Sequence, residues 1–192
     1  MTTRSTNLIQ RSTGSILRLV LLSSLITAPL FAADNAATKH SAHEQSVPAP
    51  LVELVRAGTK QYANVNNATA AGYGPFLGCV AGTDHGAMGV HYVNGTLLGN
   101  LTLDPAQPQA LIYEPSNGKM TLVGVEFILD SASWLAANNN TPPVLDGQVF
   151  NFVGAPNRFN INSFFELHVW AWRDNPQGAF VDWNNSVSCD GE

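Results

Sequence analysis

Residues 164–172 read Phe-Phe-Glu-Leu-His-Val-Trp-Ala-Trp, and this stretch decides how the fold is interpreted. Successive side chains of a β-strand point to opposite faces of its sheet, so alternate residues share a face. One face is an ordinary core row of Phe165, Leu167, Val169 and Ala171. The other face carries an acid, an imidazole and two indoles, in Glu166, His168, Trp170 and Trp172. Adjacent tryptophans are unusual on a solvent face, so this second row predicts the lining of a pocket.

Four other short segments have the composition of strands and are bounded by Gly, Asn or Pro: residues 89–93, 110–114, 120–129 and 148–153. The turn 115–118 contains Asn-Gly, which predicts a tight hairpin between the second and third of them. Apolar residues at helical spacing predict an N-terminal helix over 51–70 and a second short helix over 131–138, capped by Asp130 or Ser131. The fold class predicted is α+β, with a curved antiparallel sheet or half-barrel and helices to one side.

Two glycine-rich segments interrupt this pattern. Gly72, Gly74 and Pro75 predict a break that neither continues the helix nor joins a sheet. Residues 78–89 are then interpreted as a loop that carries His85 and whose backbone amides are available to a ligand.

Polar groups also stand among apolar neighbours in two of the other predicted strands. His91 lies within Gly-Val-His-Tyr-Val, and Glu126 within Leu-Val-Gly-Val-Glu-Phe-Ile, while Glu114 ends a third strand. A buried carboxylate must be paired, protonated or bound to a cation. We therefore predict that His91, Glu126 and His168, with Glu114 or Glu166, meet as a metal site. Such nitrogen and oxygen donors suit Zn, Fe or Mn, with Cu as a further candidate.

Two other interpretations stay open. In the first, the pocket is a metal-free site for a small molecule, in which Trp170 and Trp172 stack on an apolar ligand and Tyr92 and His85 contribute contacts. Alternatively, the acids and imidazoles satisfy one another and the protein is purely structural. If the protein is an enzyme, Glu126 and Glu166 are the candidate general bases.

Several function classes lack their usual sequence signatures. The chain contains no H-E-x-x-H, G-x-S-x-G, G-x-x-x-x-G-K or C-x-x-C-H motif, so zincin, serine hydrolase, nucleotide and c-type haem assignments have no support. Its basic residues are scattered singly, which argues against a nucleic-acid partner.

The N-terminus has the order of a cleavable secretory signal over residues 1–33. Arg4, Arg11 and Arg18 precede an apolar run from Leu19 that is too short to span a bilayer. Removing residues 1–32 leaves six basic and 14 acidic residues, a net charge of −8, and no membrane attachment is expected. Residues 34–50 are polar and predict a flexible tail, followed by one domain over 51–192.

The chain has two cysteines, Cys79 and Cys189, and both follow the predicted signal. An even pair in an exported protein predicts one disulfide. The bridge would close a loop of about 110 residues, for which the chain-entropy model gives roughly 4–5 kcal/mol.

Four phrases of the sequence resemble a family of uncharacterised secreted bacterial proteins: Gly-Ala-Met-Gly-Val-His-Tyr-Val-Asn (86–94), Ala-Leu-Ile-Tyr-Glu-Pro (110–115), Leu-Val-Gly-Val-Glu-Phe (122–127) and Glu-Leu-His-Val-Trp-Ala-Trp-Arg-Asp-Asn-Pro (166–176). The resemblance covers residues 51–189. It implies bacterial export into the periplasm or the medium, and it implies no activity.

Overall fold

The computed structural model describes residues 49–192. The predicted signal (1–33) and most of the predicted tail (34–50) lie outside these residues. The described part is built on a six-stranded sheet with short helices and one separate two-stranded hairpin, which confirms the α+β class. Within residues 49–192, no helix has the length and hydrophobicity that crossing a bilayer requires.

The strands are β1 (Tyr73–Ala81), β2 (Ala87–Asn94), β3 (Ala110–Ser116), β4 (Lys119–Asp130), β5 (Val144–Leu145), β6 (Gln148–Val149), β7 (Asn151–Val153) and β8 (Phe164–Val169). All neighbouring strands of the main sheet are antiparallel, and their order is β1-β2-β3-β4-β8-β7. Strands β5 and β6 form the separate hairpin. The helices are α1 (Pro50–Thr59), α2 (Val65–Ala70), α3 (Gly95–Leu98) and α4 (Ser131–Ala137).

The predicted single helix over 51–70 is wrong in one respect, because it is broken in the middle. Helix α1 ends at Thr59, a 3-10 turn covers Lys60–Ala63, and α2 begins after Asn64. The Asn64 side chain accepts a hydrogen bond from the Asn66 amide at 3.1 Å. An asparagine that caps in this way starts a new helix rather than continuing the previous one.

Strand β1 corrects the predicted break at residues 72–75. It contains Gly74 and Pro75 and pairs with β2 through Pro75 opposite Tyr92. Because β1 is an edge strand, a proline without an amide proton is tolerated there. The predicted loop over 78–89 is correspondingly shorter, since β1 continues to Ala81 and β2 starts at Ala87.

Two other strand boundaries differ from the predictions, while one turn and one helix cap agree with them. The predicted strand over 148–153 is interrupted at the buried Phe150, so β6 joins the hairpin and β7 joins the main sheet. The predicted strand over 164–172 ends at Val169. The Asn117-Gly118 turn is confirmed, with φ values of 51° and 73°, as is the Asp130 cap of α4, which accepts the Ser133 amide at 2.8 Å.

The main hydrophobic core lies on one face of the sheet, under α1. Alternation along β8 is confirmed there, because Phe165, Leu167 and Val169 all belong to this core. Leu51 and Val55 of α1 pack into it and are almost fully buried. The opposite face of the sheet has a smaller apolar cluster, which includes Trp170 and Val187, and it also carries the acids and imidazoles.

The predicted disulfide joins Cys79 of β1 to Cys189 in the C-terminal tail. The two cysteines are 110 positions apart in the sequence. A bridge of this kind is consistent with an extracellular location, because disulfides persist in oxidising compartments.

Candidate metal centre

Three residues from different strands meet on the sheet face opposite the main core. Glu126 on β4 lies directly across from His168 on β8. His91 on β2 lies beyond β3, where its register partner is Ile112, while the partner of Glu126 on β3 is Ala110. The small Ala110 side chain leaves space above β3, and His91 extends diagonally toward Glu126.

Gly89, two residues before His91, lets β2 approach β3 closely. Gly89 has a φ of +95°, which favours glycine. A Cβ atom built there would lie 2.6 Å from the Tyr113 carbonyl oxygen on β3. Gly89 therefore keeps β2 close to β3, and His91, two residues further along β2, is held beside the same strand.

The donor atoms of this group are close enough for a single ion. One donor atom from each of His91, Glu126 and His168 lies within 4.8 Å of the other two. Nε2 of His91 is 3.3 Å from Oε2 of Glu126. Ligands about 2.0–2.2 Å from a tetrahedral zinc ion are separated from one another by about 3.4 Å. The distance between the His91 and Glu126 donor atoms therefore matches this spacing.

His168 is the most unusual member of the group. Its side chain is 1% exposed, and within residues 49–192 neither ring nitrogen has a hydrogen-bond partner. The nearest acid on the Nδ1 side is Asp182, whose Oδ1 is 3.7 Å away, beyond hydrogen-bonding distance. Its ring stacks on Trp170 at a centroid distance of 6.2 Å. Leaving a buried polar group unpaired costs about 1–3 kcal/mol, so a ligand for these nitrogens is expected.

A second donor group shares His168 and consists of Glu166, His168 and Asp182. Asn151 on β7 donates a hydrogen bond to Asp182 at 3.2 Å, and its register partner on β8 is Glu166. The two groups together place three carboxyl groups and two imidazoles in one region, where Asp182 is partly exposed and the other four residues are buried.

Burial dominates the electrostatics of this region. It raises the pKa of Glu126 well above the usual range, and the charge of Glu166 and a hydrogen bond with Glu166 raise it further. Burial and then the charge of Asp182 raise the pKa of Glu166 to about 7, while its hydrogen bond with Glu126 acts in the opposite direction. Without a cation, the neutral, protonated form of Glu126 is therefore favoured.

The imidazoles shift in the other direction. Burial, followed by the nearby His168, lowers the pKa of His91 to about 3, although a hydrogen bond with the Gly89 backbone partly offsets this. Burial lowers the pKa of His168 to about 4. Both rings are neutral at physiological pH, which is the form that binds metals.

Glu114, the other predicted ligand, lies elsewhere. Its carboxylate pairs with Arg173 and accepts the Ser188 amide at 3.0 Å, so it holds the C-terminal segment. It belongs to neither of the donor groups found in residues 49–192. Pairing with a guanidinium already satisfies this carboxylate and leaves no reason for it to turn toward His91.

The four residues predicted to contact a small-molecule ligand have other surroundings. Trp170 is buried, and its indole donates to the Val181 carbonyl at 2.6 Å. Trp172 lies past the end of β8 and donates to Oγ1 of Thr59 on α1 at 3.2 Å. Tyr92 follows His91 and so points to the opposite face, where it packs on Tyr113. His85 is exposed in the turn between β1 and β2.

An apolar cleft of about 390 Å³, including the part open to solvent, adjoins the site. Two of the three donors, His91 and Glu126, line it. Its other lining residues are all apolar: Phe76, Leu77, Val80, Val93, Ile128, Phe159, Ile161 and Phe164. Neither this cleft nor the place of Asp182 could be predicted from the sequence, because Phe159 and Ile161 of the cleft and Asp182 lie in segments without strand periodicity.

Comparisons of the chain with protein-family models, curated protein sequences and solved structures found no match. The resemblance to secreted bacterial proteins therefore stays an expectation from the sequence phrases alone.

Proposed function

We propose that this is an exported protein whose function depends on one divalent transition-metal ion held by His91, Glu126 and His168. The observation that carries the proposal is the buried His168 ring, whose two nitrogens have no partner in residues 49–192. It lies beside two further donors that are themselves buried. A metal ion would be coordinated by a nitrogen of His168 and would at the same time balance the charge of Glu126.

The donor set restricts the metal. Two imidazoles and one carboxylate, with a position left for water or substrate, are the ligands of catalytic zinc and of non-haem iron, and manganese accepts the same atoms. Bound there, the ion would polarise a substrate oxygen or lower the pKa of a water molecule. Glu166 lies in the same buried region and is the candidate base, because its pKa of about 7 suits proton transfer near neutral pH.

Export is supported by two separate features. The first 33 residues have the charge and hydropathy order of a secretory signal. The disulfide between Cys79 and Cys189 is of the kind that persists outside the cytoplasm. Mass spectrometry of the mature N-terminus tests this part, and we expect cleavage after Ala32 or Ala33.

Elemental analysis tests the metal directly. Protein purified without chelator or affinity tag is expected to contain about one equivalent of Zn, Fe, Mn or Cu, and a His91→Ala, His168→Ala double variant is expected to contain none. His85→Ala is the matched control, because His85 is exposed and lies outside both donor groups. Absence of metal from the wild-type protein, even after reconstitution with each ion, would end the proposal.

One observation favours a metal-free alternative. Burial is the largest cause that raises the pKa of Glu126 and of Glu166, and a carboxyl group that has taken up a proton no longer needs a cation. In that case the pocket would bind or shape a small molecule through a neutral carboxyl pair. The two functions differ in one measurement, because only the metal centre predicts that a chelator lowers the melting temperature of the purified protein.

A further inference from the structure

The apolar cleft and the proposed metal centre share a boundary. Among residues 49–192, His91 and Glu126 are the only polar side chains that line the cleft, and His168 is not part of its lining. Phe76 and Leu77 of the edge strand are 40% and 55% exposed, and Ile161 is 40% exposed, so the cleft opens to solvent between them. A molecule entering from solvent would pass apolar walls and then meet the two donors.

We propose that this cleft binds a small, uncharged, mostly apolar molecule whose single oxygen atom approaches His91 and Glu126. The proposal deepens the function above and rests on it for the contact between oxygen and ion. The apolar lining of the cleft, without the ion, supports the proposal that most of the ligand is apolar.

The apolar walls of the cleft disfavour a polar ligand. Eight of the ten lining residues are apolar, and three of those are phenylalanines: Phe76, Phe159 and Phe164. Burying a polar group against such walls without a hydrogen bond costs several kcal/mol. A sugar or a peptide therefore fits poorly, whereas an aromatic ring or a short aliphatic body gains from burial.

The carboxyl groups and the proposed metal ion disfavour a charged ligand. Glu126 lines the cleft, and the carboxyl groups of Glu166 and Asp182 belong to the neighbouring donor group, so an anion is disfavoured. An organic cation would compete with the metal ion for the same carboxylate. A neutral oxygen, from a carbonyl or hydroxyl group, can instead occupy the position that three protein ligands leave open on the ion.

The size of the cleft restricts the ligand further. The room inside the cleft is about 40 Å³, far below the range of about 300–1,000 Å³ that is usual for sites of drug-sized ligands. A molecule with one ring, rather than a fused-ring or long-chain compound, is the expected size.

Acetophenone and ethylbenzene form a matched pair of probes, because they have similar shapes and only the first has an oxygen. Titration followed by protein NMR, with metal-loaded and chelator-treated protein, is the experiment. We expect both probes to bind both forms, and acetophenone to bind the metal-loaded form several-fold more tightly than ethylbenzene does. Equal affinities in the loaded form would overturn the oxygen contact.

Variants test the location. Ile128→Phe fills the cleft and Ile161→Trp blocks its rim, and each is expected to weaken acetophenone binding about tenfold or more, equivalent to about 1.4 kcal/mol. Val149→Phe is the control, because Val149 is 62% exposed and does not line the cleft. Wild-type affinity in both cleft variants, or no binding by the wild type, would overturn the proposal.

The outcomes also separate the two proposals. If the protein holds no metal but acetophenone still binds and both cleft variants weaken it, the metal centre fails and the cleft stands. If metal is present and neither probe binds, the cleft fails and the metal centre stands. Tighter binding of benzoate or benzylamine than of acetophenone would show that the ligand is charged and contradict the inference.

Discussion

Glu126 of β4 lies directly opposite His168 of β8, and His91 approaches the same carboxylate from the far side of β3, with Nε2 3.3 Å from Oε2. None of these three side chains is stable in a buried position alone, because each is polar and almost completely removed from water. Their proximity makes the group a single unit, so a change in one member alters the environment of the other two.

Replacing Glu126 with glutamine is expected to lower metal affinity more than tenfold while the protein stays folded. The amide has nearly the same shape but lacks the charge that balances a cation, and loss of an outer partner of a ligand alone costs about 10–100-fold. Isothermal titration of the apoprotein with Zn²⁺ measures the change. Glu114→Gln is the matched control, since Glu114 pairs with Arg173; a similar loss in both variants would contradict the assignment.

Replacing His168 with phenylalanine is expected to raise the free energy of unfolding of the metal-free protein by about 1–3 kcal/mol. The change removes two buried nitrogens that have no partner within residues 49–192, and each such atom is costly to leave unpaired. Urea unfolding in the presence of chelator gives the value. A decrease in stability would mean that His168 makes favourable contacts in the apoprotein, and His85→Phe should change nothing.

Removing the disulfide by a Cys79→Ser, Cys189→Ser double change is expected to lower the free energy of unfolding by about 2–5 kcal/mol. The bridge closes a loop between cysteines 110 positions apart, which restricts the unfolded chain. Thermal unfolding with and without a reductant measures the effect. Reductant should destabilise the wild type to the level of the variant and leave the variant unchanged; any other pattern contradicts a structural role.

Asp130→Ala is expected to destabilise the protein by about 1 kcal/mol at neutral pH, because Asp130 accepts hydrogen bonds from the amide and hydroxyl of Ser133 at the start of α4. These bonds lower the pKa of Asp130. The stabilisation is therefore complete above the usual aspartate pKa of about 3.9 and is lost as the pH falls through the lower pKa of the folded state.

Asp130→Asn is the control for this pH dependence. Asparagine also caps helices but does not titrate, so the stability difference from Asp130→Ala should persist at low pH. Urea unfolding at pH 7 and pH 3 compares the three proteins. Equal losses of stability on acidification in the wild type and Asp130→Asn, relative to Asp130→Ala, would count against the capping role.

Local signals predicted those parts of the fold that depend on neighbouring residues. The alternation along β8, the Asn117-Gly118 turn and the cap of α4 are each decided by a few consecutive side chains, and the structure has all three. The convergence of His91, Glu126 and His168 was also predicted, because a polar residue inside an apolar strand has few places to point.

Features that depend on tertiary context were missed. Strand β1 contains Gly74 and Pro75, which locally indicate a break, and only its position at the sheet edge makes them acceptable. Asp182 comes from a segment without regular structure, and the apolar cleft combines strands with residues 159–164. No periodic pattern connects such residues before the chain has folded.

The C-terminal tail does more than close a covalent loop. Cys79 is held by its bridge on the outermost strand, and the carboxylate of Glu192 accepts the Cys79 amide proton at 2.9 Å. An outer strand with free amides is a template for pairing with another molecule. Because the Glu192 side chain occupies this amide, the amide is not free to pair with another molecule, and reduction of the disulfide is expected to loosen this part of the sheet border.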